Sequence, residues 1–266
     1  MRAARAPAVA LAFAASLAVG AEPPPEPPES DADAEDAPEP LAPGASAAME
    51  PWTVVSSRPI LLRTRARKES RVREVWASAV FSVPGEFVQE ALLDGERFPR
   101  FMPYVQEVRM LKVPTPDGSW LTYQRVAPPL VAPRDVVFQV WMDSSLEDEG
   151  SLRFHNHWEA VPGMVPSAPG AVRTPISSGS WDVKRMPAGQ CRATYRFIVD
   201  PGGNIPTWLA DLGNRTGIPE LFKALEKEAK RRAAEPHAPR PKAPAPPPEP
   251  TAKAAGGAEV ASPASP

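Results

Sequence analysis

The sequence predicts an α+β fold in which a curved antiparallel β-sheet is wrapped on a long C-terminal α-helix. Between residues 60 and 199, apolar side chains recur mostly at every second position, as in strands that have one covered face. Short turn signals at Asp117-Gly118 and Ala188-Gly189 favour antiparallel hairpins between neighbouring strands. After the last strand the apolar residues change to a helical spacing, which predicts a helix that covers the sheet.

Eight strands are predicted from the period-two pattern. They cover residues 60–67, 71–83, 104–113, 119–126, 134–143, 151–160, 178–186 and 190–199. In the second strand, the odd-numbered residues from Val75 to Val83 form the apolar face. In the sixth, Leu152, Phe154, Asn156 and Trp158 share the apolar face, and two histidines lie on the other side.

A short helix is predicted between the second and third strands. Pro84 suits a first helical turn, an apolar stripe follows from Phe87 to Leu92, and Gly95 ends the helix. Cys191 lies on the apolar face of the last strand and is the only cysteine, so the fold depends on a core rather than on disulfides.

The C-terminal helix is predicted to be long and kinked. Asn204 is its expected N-cap and Pro206 suits its first turn. Gly213, Gly217 and Pro219 interrupt its apolar stripe, and a proline at that place removes a backbone hydrogen bond. We therefore expect one bent helix instead of two separate ones.

The two ends of the chain differ from the middle, because most of the 37 prolines lie there. Residues 1–21 are typical of a secretory signal peptide, which predicts export to the periplasm or cell envelope. A retained membrane anchor is the alternative, but the apolar run is shorter than the about 20 residues that a spanning helix needs. Residues 22–49 are predicted to be a disordered acidic linker and 235–266 a disordered Pro/Ala-rich tail. One domain is expected over residues 50–234.

Three segments in the middle of the chain carry a resemblance to a known family. They are the stretch 83–110 with Arg97-Phe98-Pro99-Arg100-Phe101, the stretch Pro133-Arg134-Asp135-Val136-Val137, and the stretch Asp200 to Leu209. In this order they resemble a START domain over roughly residues 51–233. The resemblance implies a helix-grip fold with an apolar cavity between sheet and helix. It also implies noncatalytic binding, and transport, of a lipid or other hydrophobic ligand.

The lining of the expected cavity follows from its geometry, because one helix is too narrow to fill a strongly curved sheet. The candidate ligand-binding residues are Val140, Met142, Phe154, Trp158, Tyr195 and Phe197 from strands, and Trp208, Leu212 and Phe222 from the helix. Ordinary core packing is the alternative for each of them.

The resemblance adds two positions. In sterol-carrying START members an acidic residue and an arginine face each other in the cavity, and the corresponding residues here are Gln124 and Val140. An apolar Val140 implies an apolar or differently anchored ligand. The Arg134-Asp135 pair is expected to hold the start of its strand through a local ion pair or backbone bonds.

Metal and cofactor chemistry is not predicted. His155 and His157 share one face of a strand, but no cysteine or third histidine lies near them, and zinc sites use three or four protein ligands. The net charge of −2 gives no reason to expect a nucleic-acid partner. The expected partners are the hydrophobic ligand and, transiently, a membrane surface touched by the loop that contains Met164 and Val165. The protein is expected to be a monomer.

Two other functions remain open at this stage. The wider fold group that the resemblance points to includes polyketide cyclases, aromatases and hydrolases, for which Tyr195, Gln124 and Arg125 are the candidate polar groups. Export argues against a cyclase, because such substrates normally ride on cytosolic carriers. The third candidate is an interaction module tethered by its Pro-rich tails, which composition alone supports.

Overall fold

The computed structural model describes residues 50–66, 73–112, 119–161, 163–200, 202–203 and 207–235, leaving out the side chains of 112 and 207–215. The expected signal peptide, the acidic linker and residues 236–266 of the tail lie outside this part of the chain. The predicted turn at Asp117-Gly118 and the predicted helix cap at Asn204 and Pro206 also lie outside it.

The described part contains ten strands and two α-helices. The strands are β1 (Thr53–Ser56), β2 (Leu61–Ala66), β3 (Arg73–Phe81), β4 (Val105–Lys112), β5 (Trp120–Val126), β6 (Arg134–Ser144), β7 (Arg153–Ala160), β8 (Val172–Arg173), β9 (Ile176–Met186) and β10 (Gln190–Asp200). The helices are α1 (Gly85–Leu93) and α2 (Thr207–Ala234), with short 3₁₀ turns at Gly95–Arg100 and Pro187–Gly189. All eight predicted strands form close to their expected limits, whereas β1 and β8 were not predicted.

The strands form one sheet in the order β1-β2-β3-β10-β9-β7-β6-β5-β4, with β8 beside β6. Every pair is antiparallel except β6 with β8. The sheet is curved, and α2 packs against β3 and α1. We call the face whose side chains join this core the inner face. The architecture confirms the α+β helix-grip fold that the period-two runs and the terminal helix predict.

The C-terminal half of α2 is fixed to both the sheet and α1. Phe222 packs edge-on against Phe81 at 5.8 Å between ring centroids. At the far end, Arg232 Nη2 lies 2.9 Å from Asp94 Oδ2. α2 is continuous from Thr207 to Ala234 with Pro219 inside it, as expected of one long helix. No helix in the described ranges has the length and apolar character needed to cross a membrane.

Two sequence-based expectations about side-chain burial have different outcomes. Cys191 is fully buried on β10. Burial is the main cause that raises the pKa of its thiol to about 12, so the thiol stays neutral. Leu152, in contrast, is 67% exposed. Its assignment to the apolar face was wrong because β7 begins one residue later, at Arg153.

Asp135 connects the start of β6 to the segment after β7. Its Oδ1 accepts a hydrogen bond from Arg173 Nε at 2.8 Å, and its Oδ2 accepts one from the Ala168 backbone N–H at 2.7 Å. Arg134 instead donates to the backbone carbonyl of Ala132. The ion pair of this motif therefore joins β6 to β8, 38 residues further along the chain.

We predict that Asp135→Asn lowers the free energy of unfolding by about 1–3 kcal/mol at pH 7. The substitution removes a buried carboxylate that accepts hydrogen bonds from Arg173 and from the Ala168 backbone. Burial alone would raise the pKa of Asp135, but the hydrogen bonds from Arg173 and Ala168 outweigh it and lower that pKa. The stabilisation is therefore present above the unfolded pKa of about 4 and is lost as the pH falls through the folded value.

Urea unfolding between pH 7 and pH 3 measures this difference. Glu159→Gln, which makes the same charge change at an exposed position, is the control and should leave stability within about 0.5 kcal/mol. A wild-type advantage over Asp135→Asn that persists undiminished at pH 3 would contradict the assigned pKa direction.

Candidate ligand-binding site

The central part of the inner face is built from two rows of residues that run across neighbouring strands. In the first row, Trp158 on β7 pairs with Val140 on β6 and with Gly179 on β9. Gly179 in turn pairs with Phe197 on β10. Because side chains alternate along each strand, these residues share the inner face.

Gly179 makes room for the Trp158 ring. A Cβ atom at this position would lie 2.5 Å from Trp158 Cζ2 and 2.8 Å from Phe197 Cβ, closer than atoms approach in proteins. The indole therefore lies across the glycine backbone, and the position of the ring depends on the missing side chain.

The second row lies beside the first and contains polar and aromatic groups. Asn156 on β7 pairs with Met142 on β6 and with Trp181 on β9, and Trp181 pairs with Tyr195 on β10. Asn156 Oδ1 accepts a hydrogen bond of 3.2 Å from the Trp181 backbone N–H. The amide orientation is thereby set, with the Nδ2 group left to donate elsewhere.

Aromatic rings join the two rows into one continuous surface, which we call the inner wall. The Tyr195 ring stacks against Trp181 at 4.4 Å between centroids and against Trp158 at 5.9 Å. Phe197 lies 4.9 Å from Tyr195 on the same strand. Trp181 also meets Phe222 of α2 at 5.6 Å. This contact makes the wall continuous with the helix, and Tyr195, which contacts three other rings, lies at its centre.

The wall contains hydrogen-bond donors that have no acceptor in the described part of the chain. They are Asn156 Nδ2, Trp158 Nε1, Trp181 Nε1 and the Nε1 of Trp120, which extends the first row by pairing with Val140, and all four are buried. The four side chains are at most 2% exposed. Leaving a buried donor unpaired costs about 1–3 kcal/mol. A ligand atom that accepts hydrogen bonds would recover that cost.

No formal charge lies in the two rows, among the strand side chains that the structure describes. An ionised group is costly to bury without an opposite charge. Neutral N–H donors match a neutral acceptor better, such as a carbonyl, ester or ether oxygen. The chemistry of the wall is therefore apolar, with donors and without ions.

The predicted lining residues do not all lie in one environment. Gln124, Val140, Phe154, Trp158, Tyr195, Phe197 and Phe222 are all buried on the inner side of the fold. Met142 differs, because it is 42% exposed near the end of β6, where a register shift interrupts the pairing with β7. The strand bends out of the covered region at that point. The side chains of Trp208 and Leu212 lie outside the described part.

Sequence reasoning missed three residues of the wall. Asn156 was placed on the apolar strand face but was given no role. Trp120 and Trp181 were inside predicted strands and were not proposed as lining residues. The signal for Trp181 was present, because Trp181 and Val183 alternate with the polar Ser180 and Asp182.

No family model matches the sequence. An uncharacterized protein of Pseudomonas aeruginosa is 34% identical over 106 residues, which cover 40% of this chain and 50% of that protein. The match thus spans half the length of this relative. A STAR-related lipid transfer protein from Xanthomonas axonopodis, solved as fragment 25–204, is 26% identical with a TM-score of 0.58. The similarity covers 67% of this chain and 98% of that structure.

A more distant solved structure also has this fold. Human STARD10 is 20% identical with a TM-score of 0.60, over 68% of this chain and 74% of that structure. An aromatase/cyclase from Streptomyces is also similar, with a TM-score of 0.46. The curved sheet, the terminal helix and the similarity to the Xanthomonas protein support a START-like family, as the three sequence landmarks predict.

We predict that Gly179→Ala destabilises the protein by about 1–3 kcal/mol, because the added methyl group collides with Trp158 and with the Arg196 carbonyl oxygen. Thermal or urea unfolding measures the change. Ser180→Ala, one residue away on the opposite face, is the control and should have a small effect. If Gly179→Ala matches this control, the close packing of Trp158 on the β9 backbone is incorrect.

Proposed function

We propose that the protein binds a hydrophobic molecule, such as a lipid, whose buried polar group is a neutral hydrogen-bond acceptor, and that it carries this molecule without chemical change. The observation that carries the proposal is the aromatic inner wall with four buried N–H donors and no charge. The similarity to a lipid transfer protein of 26% identity supports the same class of ligand.

Magnitudes favour an apolar chain as the main source of affinity. Burying hydrocarbon contributes about 0.8 kcal/mol per methylene, so sixteen carbons offer roughly 13 kcal/mol before the costs of association. One acceptor that meets the donors adds about 1–3 kcal/mol. The hydrocarbon chain of the ligand therefore provides most of the affinity, and the acceptor group distinguishes one lipid from another.

The arrangement of the candidate catalytic groups supports binding over catalysis. Of the three polar groups considered for an enzyme, Arg125 lies on the outer face of β5, because it neighbours the inward Gln124. Three strands separate Gln124 on β5 from Tyr195 on β10. These residues therefore do not form one acid–base constellation on a single patch of the wall.

The proposed setting is the cell envelope, reached through the signal peptide, where the monomer meets a membrane transiently. Two loops at the same end of the sheet expose apolar tips. Leu130, between β5 and β6, is 64% exposed, and Met164, between β7 and β8, is 50% exposed. Exposed apolar loop tips are typical of surfaces that touch a bilayer or a partner.

Ligand binding is tested with two matched probes, a pyrene-labelled decanoic acid methyl ester and the pyrene-labelled alkane of equal length. We predict that wild-type protein binds the ester about tenfold more tightly, equal to about 1.4 kcal/mol. Trp158→Phe and Trp181→Phe should reduce this preference, because each removes one N–H donor and keeps an aromatic ring at that position. Fluorescence titration measures both affinities.

Trp76→Phe is the matched control, because Trp76 is buried but lies on the outer face of β3, paired with Arg63 and Arg196. It should leave the ester preference unchanged. Equal affinities of wild-type protein for the two probes would refute the role of the donors. Failure to bind either probe would refute hydrophobic binding itself.

Membrane contact is tested by Met164→Asp. We predict weaker association with phosphatidylcholine/phosphatidylglycerol vesicles in a sedimentation assay and an unchanged unfolding temperature, because the side chain is half exposed. Leu152→Asp is the matched control, since Leu152 is exposed at the opposite end of β7. Equal losses in both variants would place the contact elsewhere, and a large loss of stability in Met164→Asp would show that the residue belongs to the core.

A further inference from the structure

Two histidines and a carboxylate meet on the outer face of the sheet, the side opposite the ligand wall. Asp143 on β6 and His155 and His157 on β7 offer ligand atoms that all lie within 4.8 Å of one another. His157 Nδ1 is 2.7 Å from Asp143 Oδ2, and His155 Nε2 is 3.6 Å from the same oxygen. The three side chains converge on one small region between two neighbouring strands.

A second carboxylate contacts the ring nitrogen of His155 that does not face Asp143. His155 Nδ1 lies 3.3 Å from Asp182 Oδ2 on β9, which leaves Nε2 directed toward Asp143. Metal-binding histidines usually donate their other ring N–H to a carboxylate in this way, because the bond orients the ring and raises its basicity. Arg153 Nη2 also lies 3.3 Å from Nδ1, and its main contact is an ion pair with Asp182.

The remaining groups are also suited to a metal. The His157 ring stacks on Trp141 at 4.8 Å and 8°, which limits its rotation. Asp143 is 41% exposed and His157 40%, so water reaches the cluster.

We propose that Asp143, His155 and His157 bind one divalent transition-metal ion of the Zn²⁺ type, with water completing its coordination. Two imidazole ligands favour Zn²⁺ and its neighbours over Ca²⁺ and Mg²⁺, which prefer oxygen ligands. Three protein ligands with an open fourth position are a standard zinc arrangement, and small side-chain rotations bring the atoms to the 2.0–2.2 Å that zinc requires.

Histidine and cysteine spacing alone does not reveal this site, because its third ligand is a carboxylate on another strand. The third ligand comes from β6, where a register shift between Met142 and Ser144 leaves Asp143 unpaired in the ladder and close to both histidines. The proposal does not depend on the ligand-binding function, because the cluster lies on the other face of the sheet.

Isothermal titration with ZnCl₂ tests the proposal, using the untagged full chain with His237→Ala to remove the histidine of the tail. We expect one Zn²⁺ per chain. Asp143→Asn should weaken binding at least tenfold, and His155→Ala with His157→Ala should abolish it. Asp182→Asn should weaken binding by about 10- to 100-fold without changing the stoichiometry, because it removes only the orienting contact.

Glu159→Gln is the matched control, since it makes the same charge change as Asp143→Asn on the same face, two residues from His157. It should leave zinc affinity unchanged. Co²⁺ gives a second readout, because its visible absorption bands should appear on binding and disappear in the double histidine variant. Unfolding curves without metal identify any variant that fails to fold. If the double histidine variant fails to fold, Asp143→Asn still tests the site, because Asp143 is exposed.

Two results would overturn the proposal. One is an absence of saturable Zn²⁺ binding to the wild-type chain at millimolar concentration. The other is unchanged affinity and stoichiometry in Asp143→Asn and in the double histidine variant, which would place any bound zinc at another site.

Discussion

The rest of the structure depends on the burial of one wide sheet face by one narrow helix. The nine strands of the main path, spaced about 4.8 Å apart, would span roughly 38 Å if the sheet were flat. A helix with side chains is only about 10–12 Å across. The sheet must therefore curve around α2, and the contacts of Phe222 with Phe81 and Trp181 are where the two surfaces meet.

The polar chemistry of the protein is divided between the two faces of the sheet. On the outer face, buried Glu74 pairs with Arg196 at 2.5 Å and with Arg65 at 2.6 Å, across β3, β10 and β2. Asp135 pairs with Arg173 at 2.8 Å. These ion pairs tie strands and loops together without placing a charge in the central rows of the inner wall. Under the proposed function, this separation suits an uncharged ligand, which the buried N–H donors would recognise.

The same alternation explains how the two proposed sites fit on one strand. Along β7, Phe154, Asn156 and Trp158 point inward, while His155 and His157 point outward. A change at one site therefore reaches the other only through the backbone of β7 and the side chains that pack on it. Tyr195 and its neighbouring rings hold the inner side, and Trp141 and Asp182 hold the outer side, so each site has its own support.

The sequence by itself determined eight of the ten strands, the covered face of most of their residues, and the long helix that closes the fold. Period-two spacing and turn residues are local signals, so Val75 to Phe81 or Cys191 to Val199 could be assigned correctly from the chain alone. The partners across strands were decided only by the tertiary structure, because alternation sets a face but not a register. The joining of Asn156 to Trp181, of Asp143 to His155, and of Asp135 to Arg173 depends on that register. The exposure of Met142 depends on a local shift in it, which no residue spacing encodes.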